Sequence, residues 1–231
     1  MNLARLKPRF SVEKAHKIQL QLSRRIVFED KLPRKIRYIA GVDVAYTDDL
    51  SIGAVAVLDY HNLNLVEAQT AVRGTTFPYI PTLLSFRELP PTVLAIRKLK
   101  TQPDLFLVDG QGFAHPYRCG FASHLGIVLG KPTIGVAKSR LVGEAEDFNG
   151  KDFAYLKHEG EIVGAVVKAK VGHKPVYVSV GHMVSLETAI KIVKHCIRYG
   201  GVPEPLRKAH QTAIFKKREI TSPHLASTTP M

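Results

Sequence analysis

Two stretches decide the fold: Tyr38-Ile39-Ala40-Gly41-Val42-Asp43 and, later in the chain, Leu105-Phe106-Leu107-Val108-Asp109. Each is an apolar run that leads into an aspartate, without the polar alternation of a half-exposed strand. Such runs are typical of strands that are covered on both faces, as in a parallel sheet. Neighbouring strands lie about 4.8 Å apart, so Asp43 and Asp109 are expected side by side if the two strands are parallel neighbours. Ligand sites of open α/β sheets lie at this position, outside the carboxyl ends of the strands.

Strands and helices alternate around these two runs. Strands are predicted at residues 38–46, 52–60, 63–73, 105–108, 133–137, 153–157, 161–170 and 176–180. Helices are predicted at residues 91–100, where Pro91 can occupy the first turn, and at 121–129, 185–199 and 204–217. Ser11 can cap an earlier helix, whose apolar residues are Val12, Ala15, Ile18, Leu22 and Ile26.

The order of these elements predicts the architecture. Short turns between the first three strands suit an antiparallel meander, and right-handed crossovers then favour the strand order 3-2-1-4-5. We therefore expect an α/β fold with a ribonuclease H-like mixed sheet, flanked by helices and followed by additional C-terminal strands and helices.

The chain is strongly basic. It has 231 residues, with 33 Lys plus Arg against 20 Asp plus Glu, and a formal net charge of +13. A polyanionic partner is the simplest reason to tolerate this self-repulsion, because each neutralised phosphate releases condensed counterions. Charge alone leaves a basic enzyme without such a partner equally open. Nucleic acid is nevertheless the leading candidate.

No linker-like stretch divides the chain. Residues 1–220 are expected to form a single domain, and residues 221–231, which lack an apolar period, a flexible tail. Cys119 and Cys196 fit no metal-binding spacing and are expected to be reduced. No signal sequence and no apolar run of about 18 residues is found. A cytoplasmic protein that does not contact membranes is therefore expected. A monomer is expected as well.

The predicted pair of aspartates favours a metal site. Two close carboxylates repel unless a proton or a cation joins them. Oxygen ligands without thiolates favour Mg²⁺, or Mn²⁺ in its place, over Zn²⁺. An aspartate after a strand can also serve as a turn or helix cap, although two of them after uninterrupted apolar runs make that less convincing. Glu88 could be a third ligand, or a first-turn glutamate favoured by the helix dipole.

Three further features lie near these carboxylates in the predicted fold. Residues 109–116 do not match a dinucleotide-binding loop, because the third glycine position is His115, so the glycines more plausibly admit a ligand beside the metal edge. Lys138 follows the strand beside that of Asp109 and could hold a phosphate, or be one solvated lysine among many. Phe77-Pro78-Tyr79-Ile80-Pro81, here called the apolar loop, could insert between bases or pack as a rigid turn.

Several of these motifs together resemble the endonuclease V family, or deoxyinosine 3′ endonucleases, over residues 40–210. The markers are Gly41-Val42-Asp43, the apolar loop, Phe86-Arg87-Glu88, Val108-Asp109-Gly110-Gln111-Gly112, Ala114-His115-Pro116, Ala122-Ser123-His124 and the run from residue 132 to 141. The resemblance implies a DNA repair enzyme that uses Mg²⁺ to hydrolyse the second phosphodiester bond 3′ to deoxyinosine. The products would carry a 3′-hydroxyl and a 5′-phosphate.

The resemblance also implies roles for individual residues. Asp43 and Asp109 match the metal ligands of the family, and Glu88 matches its third acidic residue. His115, Lys138 and His210 match catalytic positions.

Two further groups match positions that contact the nucleic acid. Tyr79, flanked by Pro78 and Ile80, matches the wedge that separates the strands. Gly110, Gly112 and Leu141 match the region around the flipped base.

One departure from the family bears on base preference. Thr82 follows the apolar loop where many relatives have glycine, which puts the range of lesions in doubt. An inosine-specific endoribonuclease, acting on inosine RNA with the same residues, stays an alternative. A non-catalytic inosine-binding protein is a second alternative. Such a protein is expected to have lost a carboxylate, whereas Asp43, Glu88 and Asp109 are all present.

Overall fold

The computed structural model describes residues 11–169, 172–198 and 200–222. The strands in these residues are β1 Tyr38–Tyr46, β2 Leu50–Asp59, β3 Leu65–Gly74, β4 Leu105–Asp109, β5 Thr133–Ala137, β6 Glu144–Ala145, β7 Phe153–His158, β8 Glu161–Val167 and β9 Val176–His182. The helices are α1 Val12–Ser23, α2 Leu84–Ile96, α3 Phe121–Leu129, α4 Leu186–Cys196 and α5 Glu204–Thr221. These strands form one sheet in the order β3-β2-β1-β4-β5-β9-β8-β7-β6.

The centre of the sheet is the predicted one. β1 pairs antiparallel with β2 and parallel with β4, and β4 pairs parallel with β5. The predicted mixed α/β fold, with the central strand order 3-2-1-4-5, is therefore confirmed. Beyond β5 the sheet continues through the antiparallel strands β9, β8, β7 and β6.

Side chains of β1 alternate between two helical layers. Val42 packs in the apolar cluster beneath α2 and α3, whereas Ile39 packs in the cluster beneath α4 and α5. Gly41 lies against the start of α5, where an added Cβ would overlap the carbonyl group of Pro205. Because successive side chains of a strand point to opposite faces, Asp43 shares the face of Gly41 and points toward the α5 layer.

The predicted bounds of the second helix are wrong. A proline removes a backbone donor, so Pro91 is expected in a first turn, but α2 begins at Leu84 and runs through both Pro90 and Pro91. Packing against β2 overrides the local preference. Pro91 is buried there, and an added Cβ on Gly53 of β2 would overlap its carbonyl group. The earlier start places Glu88 within α2 rather than before it.

Smaller differences concern α1, β6 and the chain ends. Ser11 caps α1 as predicted, but the buried residues of the helix are Ala15 and Gln19, while Val12 and Ile18 are exposed. The short strand β6 has no apolar run to predict it, and α5 extends to residue 221. β8 ends at Val167 and α4 at Cys196, short of the predicted ends at residues 170 and 199, because residues 168–169 and 197–198 continue neither element. Residues 170 and 199 themselves, and the tail beyond residue 222, lie outside the described residues. The single domain over residues 1–220 stays a prediction.

A carboxylate on β3 fixes the segment that follows α2. Glu67 accepts hydrogen bonds from the backbone amides of Lys100 at 3.0 and 3.1 Å and of Thr101 at 2.8 Å. Desolvation acts to raise its pKa, but these bonds and one from Gln69 outweigh it and lower the pKa of Glu67 to about 2.

Among the described helices, none is long and apolar enough to cross a membrane.

Candidate active site

Asp43 and Asp109 stand on adjacent parallel strands. Val42 pairs with Val108 in the register of β1 and β4, so the aspartate that follows each valine occupies the next position on its strand. Their side chains are largely buried, at 13% and 19% exposure. Burial raises the pKa of Asp43, and the charge of Asp109 raises it further. The structure thus brings these two predicted residues together in surroundings where a cation would be favoured.

Each aspartate is held by a basic side chain. The Lys138 ammonium donates to Oδ2 of Asp109 at 2.7 Å, and Nδ1 of His210 lies 2.7 Å from Oδ2 of Asp43. Burial opposes the charged form of Lys138, but the two aspartates prevail and raise the pKa of its ammonium. Lys138 follows β5 and His210 lies on α5, so four different elements meet at this point.

Glu88 forms a third carboxylate in a more enclosed position. It is buried at 7% exposure, and the hydroxyl of Tyr46 donates to its Oε1 at 3.2 Å. Burial raises the pKa of Glu88 to about 8, against the hydrogen bond from Tyr46 and with the help of Asp43 and Asp109. The guanidinium of Arg87 lies over the Tyr46 ring, 4.4 Å from its centre. Through their charges, both aspartates favour the protonated form of Glu88.

A pocket of about 370 Å³ opens beside Asp109. Three segments line it: residues 79–82, which are the end of the apolar loop and the following Thr82, residues 109–111, and residues 137–141. The other lining residues are Leu84, Ser85, His115, Gly120 and Phe121. The predicted residues Tyr79, Ile80, Gly110 and Leu141 all line it, whereas Pro78 does not. Tyr79 is 71% exposed at the rim. The pocket is large enough for a heterocyclic base.

The glycines beside Asp109 serve close packing and an unusual backbone angle. Gly110 has a φ of +154°, a value that residues with a Cβ rarely adopt. Gly112 lies behind the pocket wall, where an added Cβ would overlap the carbonyl of Val180 and where its amide donates to Ser179 Oγ at 2.9 Å. Of this predicted pair, only Gly110 therefore faces the pocket.

His115 lies on the far wall of the pocket. It is buried, and its Nδ1 accepts a hydrogen bond from the amide of Tyr117 at 3.2 Å. Burial lowers the pKa of His115 to about 4, a hydrogen bond with the backbone of Thr82 opposes this, and the charges of His16 and Arg118 lower it further. Its partners are thus Thr82 and neighbouring loop residues, whereas His210 contacts Asp43 directly.

The donor set fits a hard cation. In the described parts of the chain, no three His, Cys, Asp or Glu side chains are already arranged to hold one metal ion. Mg²⁺ is usually bound through one or two carboxylates, with water and substrate phosphate as the other ligands. Asp43 and Asp109 meet that requirement, and the carboxyl group of Glu88 interacts electrostatically with both.

Two groups of residues were given no role from the sequence, although Arg87 lies in a motif that carries the family resemblance. Tyr46 and Arg87 support Glu88, and Gln19 and His16 of α1 contact Thr82 beside the pocket. The only feature of the sequence that marks Gln19 is its position four residues after Ala15, which places a polar side chain on the same face of the helix as the buried Ala15. The contacts with Thr82 join residues more than sixty positions apart, which no local pattern predicts.

Comparison with known proteins places this site in a family. The model of the Endonuclease V family matches residues 20–211. Endonuclease V of Thermofilum pendens is 44% identical over 219 residues, which cover 94% of each chain. The crystal structure of Endonuclease V from Streptomyces avermitilis superimposes with a TM-score of 0.86 at 38% identity, covering 92% of this chain and 95% of that one.

A further relative has been solved with nucleic acid. Endonuclease V of Ciona intestinalis, in complex with a 24mer DNA containing an inosine followed by a ribo-adenosine, superimposes with a TM-score of 0.83. The two chains are 31% identical, and the match covers 90% of this chain and 98% of the Ciona chain. The family model and these similarities extend over nearly the whole sequence. The chain therefore belongs to the endonuclease V family.

Proposed function

We propose that this nuclease recognises deoxyinosine in DNA and hydrolyses the second phosphodiester bond on its 3′ side, leaving a 3′-hydroxyl and a 5′-phosphate. Mg²⁺ is the proposed cofactor, and Mn²⁺ its substitute. The proposed role is repair of DNA that contains deaminated bases. The observation that carries the proposal is the pair Asp43 and Asp109, held side by side next to a base-sized pocket.

The acidic residues would supply the metal site. Asp43 and Asp109 would hold Mg²⁺, and Glu88 would complete the site once it gives up its proton, which its raised pKa keeps in place near neutral pH. A bound divalent ion lowers the pKa of an attacking water and offsets the charge of the phosphate. The family membership and the oxygen donors support this assignment, and both aspartates come from rigid strands of the sheet.

The basic residues would act on the phosphate and on protons. Lys138 is charged, and its ammonium would bind an oxygen of the attacked phosphate, where negative charge develops. His210 would move a proton near the attacking water or the leaving oxygen, because its ring already lies 2.7 Å from a carboxylate oxygen of Asp43. His115, which lines the same pocket as Asp109, is the alternative residue for this proton transfer.

Recognition of the lesion would use the apolar loop and the pocket. Exposed Tyr79 would enter the base stack, with Pro78 and Ile80 beside it, and the unpaired inosine base would turn into the pocket near Gly110 and Leu141. Unstacking costs a few kcal/mol and costs least where pairing is already poor, which favours a damaged base. The inosine-containing DNA bound by the Ciona relative supports this assignment.

Cleavage of matched oligonucleotides tests the proposal. A 5′-labelled DNA strand with one deoxyinosine, alone and in a duplex, is expected to be cut at the second 3′ bond with Mg²⁺ but not with excess EDTA. Ligation of the downstream product, followed with the same strand labelled at its 3′ end, tests for its 5′-phosphate. Asp43→Ala should abolish cutting, whereas Asp48→Ala, an exposed aspartate in the following turn, should not.

Three outcomes would overturn parts of the proposal. Retained cutting by the Asp43→Ala protein would contradict the metal assignment. An RNA strand with inosine at the same position separates the alternatives, since the Ciona relative holds a ribonucleotide after its inosine. Preferred cutting of that RNA would make the enzyme an endoribonuclease. Binding without cutting of either strand would make it an inosine-binding protein.

A further inference from the structure

Thr82, directly after the apolar loop, has a backbone conformation that threonine rarely adopts. Its φ is +72°, in the left-handed region. A branched side chain is crowded in this region, and such conformations persist only where the surrounding structure holds them. Thr82 also lines the pocket, between the apolar loop and α2. The residues that contact Thr82 therefore affect the shape of both the pocket and the apolar loop.

Helix α1 supplies two of the contacts that hold Thr82. Nε2 of His16 lies 3.1 Å from the Thr82 hydroxyl, and the side-chain amide of Gln19 donates to the Thr82 carbonyl at 2.8 Å. The His16 ring is itself fixed, because it stacks on Tyr117 with ring centres 3.9 Å apart. The threonine is thus bound through its side chain and through its backbone by the same helix.

Gln19 also contacts the segment just before α3, whose next residues, Gly120 and Phe121, line the pocket. The same amide nitrogen donates to the carbonyl of Cys119 at 3.0 Å, just before α3 begins. Gln19 is fully buried, and its Oε1 is left without a hydrogen-bond partner in the described residues. Burying an amide in this way costs free energy. Its two donated bonds join Thr82, which follows the apolar loop, to Cys119, which precedes α3.

We propose that Gln19 and His16 are positioning residues that clamp Thr82 and so hold the apolar loop in place over the pocket before nucleic acid binds. The consequence for lesion recognition rests on the function proposed above, whereas the clamp itself does not. A loop that is already ordered loses less conformational freedom on binding, which strengthens the insertion of Tyr79 into a duplex. The clamp should matter less for a single strand, where no pairing has to be opened.

Fluorescence can test the clamp without substrate or metal. The chain contains no tryptophan, so Tyr79→Trp introduces a single reporter at the tip of the apolar loop. In the Tyr79→Trp background, Gln19→Leu is expected to increase the amplitude of the fast anisotropy decay. Gln21→Leu changes an exposed glutamine on the same helix and is expected to leave the decay unchanged. Melting temperatures of each protein show whether the fold is intact.

A second variant covers the case in which Gln19→Leu fails to fold. Thr82→Val keeps the branched side chain but removes the hydroxyl that contacts His16. It is expected to change the decay in the same direction and by a smaller amount, because the bond from Gln19 to the backbone remains. An unchanged decay in every folded variant would overturn the clamp.

Cleavage assays with Tyr79 unchanged connect the clamp to recognition. Gln19→Leu is expected to lower the ratio of duplex to single-strand cleavage about tenfold, the effect of losing the hydrogen bond that Gln19 donates to the Thr82 carbonyl. A mobile loop with an unchanged ratio would overturn the link to lesion recognition. If the wild-type chain cuts neither substrate, the proposed function fails, while the anisotropy measurement still decides whether α1 clamps the loop.

Discussion

The substitution Gly41→Ala tests whether the approach of α5 to β1 sets the geometry of the site. Gly41 lies two residues before Asp43, and its missing side chain makes room for the first turn of α5. His210, which contacts Asp43, belongs to that same helix. A single methyl group at Gly41 should therefore disturb both the packing of the helix and the contact between His210 and Asp43.

The expected loss of stability and activity follows from the small space between Gly41 and the backbone of α5. A Cβ on Gly41 would overlap the carbonyl group of Pro205 and lie 2.7 Å from the backbone nitrogen of Leu206. Restoring an ordinary van der Waals separation requires the helix to withdraw by roughly 1 Å. Overpacking of this kind costs about 1–3 kcal/mol of unfolding free energy. A shift of this size in a catalytic group lowers the rate about 10²-fold.

Urea unfolding and cleavage measure the two consequences separately. With a urea m-value of about 2–3 kcal/mol per M, the unfolding midpoint should fall by about 1 M. Gly74→Ala is the matched control, because an added Cβ at the end of β3 would meet nothing within 4 Å. That protein should unfold within about 1 kcal/mol of the wild type. Equal midpoints for the two variants would refute the steric reasoning.

Other predictions concern the proposed phosphate-binding role of Lys138, the apolar loop and a charge remote from the site. Lys138→Met should lower cleavage of inosine DNA about 10²–10³-fold, the usual effect of losing a charge aimed at the reacting group. Lys131→Met, exposed just before β5, should cleave at the wild-type rate in the same steady-state assay. Tyr79→Ala should slow cleavage of duplex inosine DNA more than of single-stranded DNA, because only the duplex needs its stack opened; equal losses would count against insertion. The pKa of Glu67 is lowered from 4.5 to about 2 in the folded protein, so its ionised form stabilises the fold above pH 4.5, and this stabilisation is lost as the pH falls toward 2. Urea midpoints of Glu67→Gln should therefore lie below those of the wild type at pH 7 and approach them between pH 4.5 and 2, and a gap that does not change with pH would contradict this.

The sequence predicts the centre of the fold because the chemistry of the central strands is local. Apolar runs that end at Asp43 and Asp109 mark two covered strands, and their parallel pairing brings the two carboxylates together. The start of α2 is different. Pro91 is a strong local signal for a first turn, but the helix begins earlier because its packing against Gly53 of β2 outweighs that signal.

The basic partners of the site depend on distant parts of the chain. His210 is 167 residues away from Asp43 and reaches it only because α5 packs across β1. Sequence spacing carries no information about such a contact, and the resemblance to the family supplied the position. The clamp on Thr82 was beyond prediction for the same reason, since a buried glutamine in α1 gives no sign of what it will bind.

Gly41 has a further consequence for the pairing of β1. Strands covered on both faces are apolar at every position, so a slip of one residue would leave β1 apolar but would turn Asp43 to the opposite side of the sheet. Hydrophobicity alone therefore cannot choose between the two alignments. A slipped β1 would present Ala40 or Val42 to the backbone of Pro205, where no Cβ fits. One glycine thus gives the strand its unique alignment and decides on which side the carboxylate lies.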